Sequence, residues 1–117
     1  MLQERIQTHF AAGENCSRII LRAAAEEYGF SLSEDILSAC GGLNGGFGIN
    51  GMCSALVAAV MVLGLLFGEE EVKGKRILLL IGAQARFGGL DCCRLSALGC
   101  DRVLEEIGAL LQEVIEG

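Results

Sequence analysis

Between Ile36 and Gly68 the chain carries no charged residue, and the last part of that stretch, Met52 to Phe67, is apolar almost throughout. Such a segment leaves water, either in a protein core or in a bilayer. A spanning helix needs about 20 apolar residues, usually with a Lys/Arg bias at one end. This run is shorter. Asn50-Gly51 precede it and Glu69, Glu70 and Glu71 follow it. The sequence therefore predicts a buried central helix over 52–67, apolar on every side because every side is covered.

The 117 residues make one domain, 1–117, with no room for a second core. Proline and tryptophan are absent and there is a single tyrosine, while Ala, Leu and Glu abound. That balance favours helices over strands. Leu2, Ile6 and Phe10 recur at helical spacing. Asn15 caps a second helix from Cys16 to about Tyr28, with Gly29 as its stop. Ser31-Leu32-Ser33-Glu34 reads as a capping box opening a third, which ends near Cys40. Beyond the central helix, Glu69 to about Phe87 begins with an acidic turn that suits the helix dipole. From Cys100 to Ile115, Val103, Leu104, Ile107, Leu110, Leu111, Val114 and Ile115 line one face, and Gln112 with the glutamates the other. No segment alternates as a strand. The expected fold is all-α, a compact bundle of about five to six helices around the central one, with a glycine-rich loop at 41–51.

Nine basic residues against fifteen acidic ones leave a net charge of −6, and no Lys/Arg cluster occurs. A nucleic-acid partner is not expected, because phosphate neutralisation needs clustered positive charge. The N-terminal residues show no basic-then-apolar leader, so the expected location is the cytoplasm. Six cysteines are many for this length. With a large core and a reducing compartment, free thiols serving metal or redox chemistry are a better reading than a disulfide framework.

Cys16 follows the cap Asn15, Cys53 falls in the first turn of the central helix, Cys92 follows Asp91, and Cys100 follows the break at Gly99. Unpaired N–H groups and the positive dipole end at a helix start stabilise a thiolate, the form that attacks and binds metals. The competing reading is cysteine as a small buried apolar side chain, its commonest role. Recurrence at four helix starts favours the chemical one. Cys93 points about 100° away from Cys92 on a helix, and Cys40 reads as packing. No Cys-x-x-Cys is present, so thioredoxin-like, zinc-ribbon and bacterial-ferredoxin spacings are absent. The single histidine, His9, makes no constellation.

Gly46-Phe47-Gly48-Ile49-Asn50-Gly51 fits G-x-G-x-x-G, but a dinucleotide fingerprint needs a strand entering the loop, and the segment before it reads as helix. The better expectation is bare backbone at Gly46, Gly48 and Gly51 brought close to something compact, such as sulfur or a cluster.

The stretch Gly42-Leu43-Asn44-Gly45-Gly46-Phe47-Gly48-Ile49-Asn50-Gly51-Met52-Cys53-Ser54-Ala55-Leu56, with Asn15-Cys16 upstream and Phe87-Gly88, Leu90-Asp91-Cys92 and Cys100 downstream, resembles the C_GCAxxG_C_C family of redox-active proteins. The order Cys16, Cys53, Cys92, Cys100 matches the family's four cysteines. Two features depart from it. Ser54 and Ala58 stand where the family has glycines, and the gap between the last two cysteines is short, which leaves Cys93 as an alternative to Cys92. The resemblance implies an all-helical redox protein, similar to a domain attached to split-Soret cytochromes with which an iron–sulfur site is associated.

Three functions follow as expectations. The first is electron transfer by a [2Fe–2S] or [4Fe–4S] cluster on Cys16, Cys53, Cys92 and Cys100, served by a redox protein partner. The second is a metal-free thiol–disulfide oxidoreductase using two of these cysteines as its redox pair. The third is a structural zinc domain. A membrane partner is not expected, and a homo-oligomer is compatible with all three.

Overall fold

The computed structural model describes residues 1–117 as seven α-helices with no strand: α1 Leu2–Ala11, α2 Cys16–Tyr28, α3 Glu34–Ala39, α4 Ser54–Leu66, α5 Glu69–Phe87, α6 Cys92–Leu98 and α7 Cys100–Glu116. The all-α expectation holds. The helix count is one above the expected range, because α6 is a separate short helix inserted between two glycine breaks. No helix is long and apolar enough to cross a membrane.

Local chemistry sets most of the ends. The Asn15 side chain accepts from the Arg18 N–H at 3.3 Å and so caps α2, and Gly29 closes it in the left-handed conformation. The third helix starts two residues later than the capping box at Ser31 suggested. Ser33 is its cap, accepting from the Ile36 N–H at 3.1 Å, and this places Glu34 and Asp35 in the first turn where the dipole favours them.

The central helix runs over 54–66, slightly inside the expected 52–67, because Met52 and Cys53 are extended backbone leading into it. Ala55, Leu56, Ala58, Ala59, Val62 and Leu63 are buried, and α4 packs on α2, α5 and α7. Its cover is incomplete at the far end, where Leu65 is 46 % exposed. Both α2 and α4 bury alanines (Ala23 and Ala24 on the former), which lets the two backbones approach. On α7, Gly108 lies so close to Ile6 of α1 that a methyl group there would collide with it.

The glycine loop holds the least ordinary backbone. Gly45, Gly46, Phe47 and Gly48 follow one another at φ +67°, +61°, +63° and +77°, one turn of left-handed helix. Each such residue costs an L-amino acid roughly 1–2 kcal/mol, a cost that three of the four avoid by being glycine. Phe47 does not, and its ring is half exposed. Gly46 has a second reason to be glycine, since a Cβ there would overlap the Gly51 backbone, whereas a Cβ on Gly45 meets open space. Accordingly, Gly45→Ala is expected to cost about 1–2 kcal/mol from the dihedral alone. Gly46→Ala should cost more, because the 46–51 contact must also open. Urea denaturation of the two variants checks the order, and equal costs would contradict the close approach.

Candidate redox-cysteine site

The loop clamps the start of α6 against the start of α4. Residues 51–53 and 90–92 run antiparallel as a single bridge between Met52 and Asp91. The Cys53 N–H donates to the Leu90 carbonyl at 2.8 Å and the Cys92 N–H to the Gly51 carbonyl at 3.0 Å. Asn50, itself at φ +57°, accepts from the Cys93 N–H through Oδ1 at 2.7 Å. Asp91 caps the same helix by accepting from the Arg94 N–H at 3.0 Å. Two elements distant in sequence are thereby fixed side by side with a cysteine on each.

Cys16, Cys53, Cys92 and Cys100 all line one cavity of about 200 Å³. Cys16, Cys92 and Cys100 are the first residues of α2, α6 and α7, and Cys53 immediately precedes α4. Four helix starts thus point at one place. Leu95, Val103, Leu104 and Ala55 make an apolar floor, while Glu14, Asn44 and Ser96 add polar groups. No role was expected of these three, although Asn44 lies within the stretch that carries the family resemblance and Glu14 directly precedes Asn15-Cys16.

Cys93 is exposed and does not line the cavity; Cys40 is buried elsewhere, its thiol donating to the Ile36 carbonyl at 3.4 Å. Gly46, Gly48 and Gly51, expected against a cofactor, are also off the cavity wall, where the loop contributes Asn44 and Gly45. Their backbone shapes the clamp instead. His9 is remote, paired with Glu26 at 3.0 Å.

Electrostatics differ from the expectation of stabilised thiolates. Burial, together with the neighbouring Cys100, Cys53 and Cys92, pushes the Cys16 thiol up to about 11. Burial also raises Cys53, against the downward pull of the Ala55 and Leu56 amides. Desolvation and the crowding of like groups outweigh the helix dipole here. Cys16, raised in the folded state from 9.0, contributes stability that is complete below pH 9 and is lost as pH rises through about 11. Alkylation of Cys16 by iodoacetamide, followed by peptide mass spectrometry, should be slow at neutral pH and accelerate only toward that value. Modification of Cys16 as fast as that of exposed Cys93 at pH 7 would contradict this.

All six cysteines are free, and no three metal-binding side chains converge tightly enough to hold one ion. Four thiols line one cavity, the number of thiolates that an iron–sulfur cluster or a structural zinc ion takes.

The fold and site define an all-α domain built around a shared cysteine cavity. The sequence profile described as "Putative redox-active protein (C_GCAxxG_C_C)" matches residues 14–114, and the chain belongs to this family. No curated protein and no solved structure matches the chain.

Proposed function

We propose that this protein is an electron-transfer module that holds an iron–sulfur cluster on Cys16, Cys53, Cys92 and Cys100. The observation that carries this reading is the meeting of four thiols, from four separate segments, on one cavity. When bound, such a cluster supplies reversible one-electron transfer. The chain's part is to furnish four thiolates, to set an apolar floor of Leu95, Val103 and Leu104 beside them, and to hold two of the ligands in register through the 51–53 and 90–92 clamp. The partner on this reading is a redox protein, and the setting is the cytoplasm, where thiols stay reduced.

A structural zinc ion on the same four thiolates is one alternative, distinguished from the cluster by zinc content and by the absence of inorganic sulfide. A metal-free thiol–disulfide enzyme, the other alternative reading, needs a nucleophile that a partner's disulfide can reach; Cys53 is buried and Cys16 half-buried, and of the four only Cys100 is exposed. Anaerobic reconstitution with ferrous iron and sulfide tests the reading. The expected product is brown, with visible absorption that bleaches on reduction and with iron and inorganic sulfide in equal amounts. Colourless protein that takes up one zinc per chain would overturn it.

A further inference from the structure

The four thiols on the cavity are not equivalent as neighbours. Cys53 and Cys92 flank the Met52–Asp91 bridge, the Cys53 N–H donating to the Leu90 carbonyl and the Cys92 N–H to the Gly51 carbonyl. Cys53 thus lies opposite Leu90 and diagonal to Cys92, and residues so placed are about 7–8 Å apart. A disulfide asks for Cα atoms within about 7 Å. The clamp that fixes these two cysteines in register therefore holds them apart as a pair.

Cys16 and Cys100 are under no such constraint. They open α2 and α7, two helices in contact, and both line the cavity. Of its three thiol neighbours, Cys100 acts most strongly on Cys16 and accepts a hydrogen bond from it. Cys100 is exposed and Cys16 half-buried, so a soluble oxidant meets Cys100 first with Cys16 in contact behind it.

We infer that Cys16 and Cys100 form a reversible disulfide under oxidation, a bond that closes the cavity to a metal cofactor. With a peroxide as oxidant, Cys100 becomes a sulfenic acid and one water is released. The Cys16 sulfur then attacks the Cys100 sulfur, the S–S bond forms and a second water leaves. The two thiols give up two electrons and two protons, which the peroxide O–O bond takes up. A dithiol reverses the bond by exchange. The loss of two cluster ligands rests on the cluster reading; the bond itself does not.

The test treats the reduced, metal-free full chain with hydrogen peroxide, blocks the remaining thiols under denaturing conditions and maps tryptic peptides without reduction. Trypsin leaves Cys16 and Cys100 each as the sole cysteine of its peptide, residues 6–18 and 95–102. These two should be recovered joined, and dithiothreitol should separate them. Cys93→Ser should keep the link; Cys100→Ser, at an exposed position, should lose it and stay helical by circular dichroism. Cadmium, a soft ion suited to thiolates, reads the consequence without sulfide, which would itself reduce a disulfide. The oxidised chain should lose most of the cadmium uptake of the reduced one. Free thiols after peroxide, a link between Cys53 and Cys92 in its place, or equal cadmium uptake by both forms overturns the inference. Joined peptides from a chain that, once reduced, takes up no iron and sulfide would leave the bond standing and the cluster reading fallen. A chain that takes up its cluster yet gives no joined peptides would do the reverse.

Discussion

Replacing Ala59 by aspartate is expected to leave the protein unfolded at room temperature. Ala59 is fully buried on α4, and the only polar side chains in the core are Ser17 and Ser54, neither of them a cation. The introduced carboxylate would find no charged partner and would be protonated or drive the core open. Burying a polar group without compensation costs several kcal/mol, and an isolated charge more. A domain of this size has about 5–15 kcal/mol in total. Leu65→Gln on the exposed end of the same helix supplies the control and should change stability by less than about 1 kcal/mol. Far-UV circular dichroism with urea titration separates the two. An Ala59→Asp variant folded as firmly as the wild type would contradict the central placement of α4.

That placement was legible because α4 is the one segment where neither helical face carries a charge; composition alone left it no solvated side. Asn15, Gly29 and Asp91 were legible for another reason. Caps and left-handed stops act within three or four residues, so they are written locally. Ser31 against Ser33 shows the limit of such reading. Both can cap, and the choice fell to Ser33 where its hydroxyl meets the Ile36 amide. The start of α6 at Cys92 was legible from Asp91, but its extent was not, because it is only seven residues long and buries a single side chain, Leu95, which leaves no periodicity to detect.

The site was half legible. Each cysteine could be placed at a helix start, but nothing local says that four helix starts point at one cavity. That is a property of how α2, α4, α6 and α7 pack. The glycine loop carried the opposite lesson. Gly46, Gly48 and Gly51 looked like a cradle for a ligand, yet the left-handed turn over 45–48 serves to bring Asn50 and Gly51 onto the amides of Cys93 and Cys92. The thiol electrostatics also ran against the local rule. A helix start favours a thiolate, but burial and three thiol neighbours act more strongly on Cys16.

The iron content of single cysteine variants after anaerobic reconstitution tests the account most directly. A serine hydroxyl is a poor substitute for a thiolate on iron, so loss of one of four ligands should remove most of the bound metal. Cys53→Ser is the sharpest case, because this side chain is buried and its backbone N–H is held by the Leu90 carbonyl, with no other thiol on its segment to replace it. Cys92→Ser is softer, since Cys93 follows it on the same short helix. Cys40→Ser and Cys93→Ser alter thiols outside the cavity and should keep iron near the wild-type amount. The account predicts that contrast, with Cys53→Ser retaining a small fraction of the iron and sulfide and Cys40→Ser nearly all. Equal retention by the two variants would mean that iron sits on thiols without regard to position, and would contradict a site built from Cys16, Cys53, Cys92 and Cys100.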